Sequence, residues 1–366
     1  MLFDAVRLGK LMLHNRIVVS PMCQYSAVDG NAGAWHTVHL AQLALSGAGL
    51  VFMEATAVAE EGRITPNCLG LYSPSNQSAI GETLRTVRSL SRTPIGIQLS
   101  YSGRKGSCQR PWDGGTPIAL EQGGWALKAP SALPAREGAA VPDVLSRDDI
   151  GRIVDSFRVA GGRARALGLD CIELQMAHGY LLHQFLSPLS NHRKDEFGGS
   201  FENRIRVPLS VFKAVHAQAG EDIPVGVRVS ATDWVSGGWD IEQTIELCKR
   251  LQAAGCAFVD VSSGGVSAAQ KIPATPGYQV PFAQALKNAL EIPVIAIGLI
   301  TDPHQAEAII SEGKADLVAL ARAILHDPRW PWRAAAALGA KVAAPPQYQR
   351  CLPAGAPDIF LRAQGS

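Results

Sequence analysis

Residues 172–204 read IELQMAHGYLLHQFLSPLSNHRKDEFGGSFENR, a short apolar run that breaks abruptly into a dense polar loop. Cys171, Ile172, Glu173 and Leu174 form a brief β-type run, and Gln175, His178 and Tyr180 follow at its carboxyl end. Barrel enzymes place catalytic groups at strand tips of this kind, where the strand holds them rigidly. The NHRKDEFGG segment is too polar and too rich in glycine for a core, so it predicts an ordered surface loop before a helix beginning near Phe201.

Outward from this stretch, β-rich runs recur near 17–19, 50–55, 95–99, 171–175, 225–229, 258–261, 294–297 and 317–320. Helical periodicity fills His36 to Ser46, Ser78 to Ser91, Asp148 to Leu167, Arg204 to Ala217, Ile241 to Ala254 and His304 to Ser311. Strands alternating with helices require a parallel sheet, and eight such units fit a closed (β/α)8 TIM barrel better than an open doubly wound sheet. No GxGxxG follows any strand, which weakens the dinucleotide-fold alternative further. One domain over 1–366 is expected, with a C-terminal tail over about 340–366. The long interruption from Ser100 to about Ser146, rich in Gly, Pro and Ala, leaves the carboxyl end of the third strand. It therefore predicts a lid capping the active-site face.

Composition narrows the function. The 366 residues are 47% hydrophobic with mean hydropathy near zero, enough for a large core. Lys plus Arg number 34 against 32 for Asp plus Glu, and no basic run interleaved with aromatics occurs, so nucleic acid is not expected as a partner. Asp4, Arg7, Lys10 and Arg16 interrupt the N-terminal apolar stretch, leaving neither a secretory core nor a membrane span; a cytoplasmic protein is the default expectation. Seven cysteines without CxxC spacing argue against a disulfide framework and against structural zinc. Cys23, just past the strand Ile17 to Val19, is open to two readings, a packed thiol or a ligand-facing one.

Three groups of side chains carry chemistry. Gly298 follows the seventh strand, and Ala321 and Arg322 follow the eighth, where barrels bind phosphate through backbone N–H groups and a fixed positive fork. Arg228 in VGVRVS alternates with Val227 and Val229 and so points into the barrel mouth. It calls either for a ligand anion or for a salt bridge to a core carboxylate such as Glu54 or Glu173; Gln98 is likewise open between a core amide and a ligand contact. Tyr180 can give a proton to a carbanion, while His178 and Gln175, three apart, can donate to one oxygen as carbonyl polarisation requires. No carboxylate stands at a matching offset, so no metal is expected on this loop.

Taken together, SPMCQYSAVDG, EATAVAEEGRIT, GIQLSYSGRKG, AHGYLLHQFLSPLSNHRKDEFGGSFENRIR and QYQR resemble the Old Yellow Enzyme family of FMN-dependent ene-reductases, in the subclass of xenobiotic reductases and thermophilic-type members. The resemblance covers essentially the full chain. It implies a barrel holding FMN noncovalently, reduced by NADPH or NADH, that passes hydride from flavin N5 to the β-carbon of an activated alkene. Matched residue by residue, Ser20, Pro21, Met22 and Cys23 would line the flavin, with Cys23 tuning its redox behaviour. Ala57 and Gln98 would contact the isoalloxazine, Arg228 its N1 and O2 edge, and Gly298, Ala321 and Arg322 the phosphate. Tyr25 and Tyr180 match substrate-contacting tyrosines, Tyr180 as proton donor; Arg350 matches an arginine that reaches a neighbouring subunit's site, which implies a homodimer or a dimer of dimers.

Two departures stand out. The family's usual His-x-x-His or His-x-x-Asn pair is here Gln175-Met-Ala-His178, and its common histidine in HAGRK is here Tyr101. Glutamine cannot become cationic and presents an acceptor oxygen as well as donors, so weaker carbonyl activation is expected. Alternatives are a relative with a shifted acceptor (a nitro compound, a CoA thioester, or desaturation) and a flavin-binding protein without ene-reductase activity.

Overall fold

The computed structural model describes residues 1–361. Eight parallel strands close into a barrel: Ile17–Val19, Leu50–Ala57, Ile95–Ser100, Cys171–Met176, Val225–Ser230, Val259–Ser262, Val294–Ala296 and Leu317–Leu320. The last pairs with the first, Ala319 against Val18, so no edge is left open. Every residue of these strands is buried, because one face meets the helical ring and the other fills the barrel. Every strand expected from the sequence is therefore present, within a residue or two at its ends.

Side chains inside the barrel change character along its axis. Toward the N-terminal ends lie Val18, Leu50, Phe52, Phe258, Ile295 and Leu317, with Leu8 and Leu13 from an antiparallel hairpin, Val6–Leu8 and Leu11–Leu13, packed against them. The Phe52 and Phe258 rings sit 6.0 Å apart, and a Cβ at Gly96 or Gly226 would strike one of them at 2.6 or 2.5 Å; small and large residues thus alternate across this layer. Nearer the C-terminal ends the inward residues turn polar: Gln98, Glu173, Arg228 and Asp260. The apolar floor excludes water and seats that polar layer beneath the mouth.

The expected helices appear as Ala34–Ala44, Pro74–Leu90, Arg147–Ala166, Arg206–Ala219, Ile241–Ala253 and Pro303–Ser311. Val280–Ala289 and Trp330–Leu338 add two that the periodicity does not mark; each opens with a proline in its first turn, which suits a helix start as well as a loop. Phe201–Arg204 forms a short turn of helix where one was expected to begin. The segment between the third strand and helix Arg147–Ala166 holds three short 3-10 turns and a two-strand pair, Lys128–Ala129 with Asp143–Val144. Of the tail, residues 362–366 lie outside the described residues, while Val342 and Phe360 pair against Trp332. No helix among the described residues is long and apolar enough to cross a membrane.

Candidate active site

The mouth of the barrel holds a cavity of about 220 Å3 lined by the loop after the first strand (Ser20, Pro21, Cys23, Tyr25) and by Ala55, Gln98, Gln175, His178, Tyr180, Arg228 and Ala321. The first-strand loop is tied down from below. Buried Glu54 accepts the Gln24 backbone N–H at 2.9 Å, and its other oxygen lies 3.3 Å from His36 Nε2. This anchor holds Tyr25 at φ 49°, a left-handed conformation that non-glycine residues adopt rarely and chiefly where the surroundings impose it.

His178 is also left-handed, at φ 59°. Its N–H donates to Ser230 Oγ at 2.9 Å, and its Nε2 lies 2.7 Å from Ser262 Oγ. The next residue is clamped in turn: Gly179 N–H donates to His183 Nδ1 at 2.9 Å, and His183 Nε2 lies 2.9 Å from Asp233 Oδ1 in complete burial. Burial first, then the positive charge of Arg228 and Lys105, keeps the His178 imidazole well below its ordinary pKa and therefore neutral. Burial pushes the Tyr180 phenol well above its ordinary value, so it carries its proton at any working pH. The Cys23 thiol is raised in the same way, again chiefly by burial, and stays protonated.

Gln175 is committed to its neighbours. Its Nε2 donates to Gln98 Oε1 at 3.2 Å and lies 3.4 Å from His178 Nδ1, while its own Oε1 is buried without a partner. Gln98 Nε2 in turn donates to Glu173 Oε1 at 2.7 Å. The amide therefore leaves an acceptor unpaired rather than a donor.

Arg228 points inward as alternation requires, and the register sets Asp260 and Gln175 beside it on the neighbouring strands. Its Nη1 donates to Ser20 Oγ at 3.2 Å; its Nε stands 3.6 Å from Asp260 Oδ2, too long for a hydrogen bond, and has no other partner. Neither carboxylate expected from the sequence pairs with it directly, since Glu54 serves His36 and Glu173 serves Gln98.

Beneath the mouth, Glu173 and Asp260 are both raised, chiefly by burial and in part offset by Arg228. The folded state then binds a proton more tightly than the unfolded chain, so stability falls as pH rises above the ordinary carboxylate value of about 4. Urea unfolding of the FMN-free protein should show a larger loss between pH 5 and pH 8 in the parent than in Glu173→Gln, which mimics the protonated acid. The slope difference is at most about 1.4 kcal/mol per pH unit; identical slopes would refute the raised Glu173 carboxyl.

A second cavity of about 150 Å3 lies beyond the seventh and eighth strands, lined by Ser262, Gln279, Gly298, Leu299, Thr301, Arg322 and neighbours. It shares Ala321 with the mouth, so the two lie side by side. Gly298 sits at φ 126°, and a Cβ there would meet Gln279 Nε2 at 2.9 Å; Leu299 follows at φ 52°. Arg322 is exposed and opens the short helix Arg322–His326.

Most residues singled out in the sequence thus gather in these two cavities. Met22 and Ala57 line neither: Met22 packs half-buried against the core, and Ala57 is sealed under the strand bridge to Gly70. A bulge between Met53 and Ala55 shifts the register of the second strand, and Ala55 is the alanine that faces the mouth. Tyr101 is 2% exposed, packs against Gly62 and lines no part of the mouth, so its departure from the family pattern does not alter that cavity. Arg350 is exposed and lines neither cavity of its own chain. The sequence reading missed Ala55, Lys105, His183, Ser230, Asp233, Asp260 and Ser262. Asp260, a single charge alternating with Val259 and Val261, carried the same signal as Arg228.

A flat ring system fits across the apolar walls of Pro21, Ala55 and Ala321, and the Arg228 guanidinium that lines the mouth suits an electron-rich ring edge. A phosphate on a short chain reaches the second cavity, where Gly298 allows close backbone approach and Arg322 supplies charge. Fold and site together define a flavin-dependent oxidoreductase of the barrel class.

The sequence profile of the NADH:flavin oxidoreductase / NADH oxidase family matches residues 1–340. The NADPH dehydrogenase of Geobacillus thermodenitrificans (strain NG80-2) is 41% identical over 351 residues, covering 95% of this chain and 98% of that protein. Among solved structures, morphinone reductase superposes with a TM-score of 0.77 at 27% identity over 100% of this chain and 94% of its own. The Old Yellow Enzyme homologue of Zymomonas mobilis gives 0.76 at 27% over 91% of each. The chain belongs to the NADH:flavin oxidoreductase / NADH oxidase family, that of Old Yellow Enzyme, with FMN as cofactor and NAD(P)H as reductant.

Proposed function

We propose that the chain reduces the activated C=C bond of α,β-unsaturated carbonyl compounds, with FMN held across the barrel mouth and its phosphate at the second cavity. The observation that carries this reading is the adjacency of the two cavities at Ala321, with Arg228 at one and Arg322 at the other. Reduced FMN, when bound, supplies the hydride that reaches the alkene β-carbon. Arg228 stabilises negative charge on the ring edge, and Gln98 holds the adjacent polar edge. Pro21, Cys23 and Ala55 exclude water from the ring, Cys23 as a protonated, polarisable thiol.

The substrate oxygen is received at Gln175 and neutral His178 once these side chains exchange their contacts with Gln98 and Ser262 for it, Tyr25 flanks it, and Tyr180 delivers its proton to the α-carbon. Anaerobic stopped-flow mixing tests the whole scheme: NADPH should bleach the flavin band and 2-cyclohexenone should restore it. Bleaching without restoration would leave a flavin protein that is not an ene-reductase. The phosphate assignment is tested separately by Arg322→Ala, which should weaken FMN binding roughly tenfold, read as recovered FMN fluorescence in titrations of apoprotein.

A shifted acceptor range is the second reading, favoured by the Gln175 amide, whose nitrogen is engaged by Gln98 and whose Oε1 is unpartnered, so that polarisation of a simple enone carbonyl is weak. A nitro compound, a CoA thioester or desaturation of a saturated substrate are the acceptors and reaction to screen. We further propose that residues 100–146 act as a lid and that the enzyme is a homodimer, or a dimer of dimers, in which exposed Arg350 reaches the neighbouring site. Unpaired cysteines at all seven positions favour a reducing cytoplasmic setting.

A further inference from the structure

A chamber of about 490 Å3 lies between the 100–146 segment and the loop after the sixth strand. Its walls are apolar, from Ile118, Leu120, Trp125, Leu127 and Val141. Leu120 and Val141 at its rim are 62% and 63% exposed, an unusual cost for large apolar side chains lying together. Its volume lies in the range that holds small organic ligands.

Lys105 stands between this chamber and the active site. Its Nζ donates to His178 O at 2.8 Å and Gly265 O at 3.2 Å, and lies 5.0 Å from the centre of the Tyr180 ring. The charged and titratable groups that face it are Arg104, Cys108, Arg136, His178 and Tyr180, with no carboxylate among them. Arg104 lines the same chamber and is 7% exposed; its Nη2 donates to Val266 O at 2.7 Å and its Nη1 to Leu133 O and Pro134 O at 3.4 Å, while its buried Nε has no hydrogen-bond partner and Asp233 is the acid that acts on it. Asp143 is the one acid among the lining residues, and it is exposed. A mostly apolar chamber whose basic residues Arg104 and Lys105 are held by backbone carbonyls, with no carboxylate in salt-bridge contact, complements an apolar molecule that ends in an anion.

We propose that this chamber is a second ligand site, separate from the flavin mouth, for a small carboxylic acid with an aryl or alkyl body. The carboxylate meets Lys105 and Arg104; the body lies along Ile118, Trp125 and Leu127. The site does not depend on which alkene the flavin reduces.

Calorimetric titration of the FMN-loaded protein with 4-phenylbutyrate, and with 4-phenylbutan-1-ol as its uncharged counterpart, tests this. The acid should bind roughly tenfold or more tightly than the alcohol. Lys105→Met should erase that preference, and Ala139→Trp, which fills the chamber from its half-buried wall, should abolish binding while the flavin content stays that of the parent. Gln175→Ala, which alters only the mouth, should leave the affinity within about twofold. Burial pushes Lys105 down to about 8, so affinity should fall as pH rises through that value and the ammonium loses its proton, and Lys105→Met should remove this dependence. Equal binding of acid and alcohol, or loss of binding in Gln175→Ala with none in Ala139→Trp, overturns the proposal. So does a chamber covered by a second copy of the chain, seen as a dimer that 4-phenylbutyrate neither enters nor dissociates.

Discussion

Replacing Tyr180 with Phe should lower the rate at which 2-cyclohexenone reoxidises the reduced flavin by a factor of about 10² to 10⁴, the usual contribution of a positioned general acid. Reduction of the flavin by NADPH should be nearly unchanged, because that half-reaction moves a hydride and needs no proton at the substrate α-carbon. The split follows from the state of the phenol, which burial keeps protonated. The placement is equally specific: Tyr180 caps helix Leu181–Leu186, and His183 on that helix holds the preceding glycine. Stopped-flow measurement of the two half-reactions reads the effect. Equal losses in both would assign Tyr180 to structure, and no loss in either would remove it from the chemistry.

Gln175→His should act in the opposite direction, speeding enone reduction about a hundredfold. A preorganised donor at a developing oxyanion is worth roughly 3 kcal/mol, and each 1.36 kcal/mol is tenfold in rate. In the parent the Gln175 amide nitrogen is turned to Gln98 and His178. A carbonyl arriving there meets the free Oε1 or must first rotate the amide, breaking the chain that runs through Gln98 to Glu173. An imidazole carries one N–H that can face the cavity with no amide to turn. If the variant reduces 2-cyclohexenone no faster than the parent, carbonyl polarisation at this position is not what limits the enzyme, and the shifted-acceptor reading gains ground.

The barrel was legible because its strands are buried on both faces and read as compact apolar runs, such as VGVRVS, spaced by amphipathic helices. The inward aim of Arg228 followed from period-two alternation alone. The partner did not: sequence order gives no view of which strand lies alongside, and Asp260, directly across the sheet from Arg228, is 32 positions away by residue number. Ala57 came from the match to the family pattern, whereas Ala55 lines the mouth, and a bulge at Met53 and Ala55 interrupts the alternation that would otherwise have pointed to it. Lys105 was invisible for a different reason. Its surroundings are carbonyls of His178 and Gly265, 73 and 160 residues distant, brought in by two loops whose course no local pattern dictates.

The most direct test of the account is a crystal structure of the protein grown with FMN. It should show the ring over Pro21 and Ala55 with its N1 and O2 edge at Arg228, and the phosphate between Gly298 and Arg322. A ring seated elsewhere, or a mouth filled by the protein's own side chains while FMN is in excess, would contradict it.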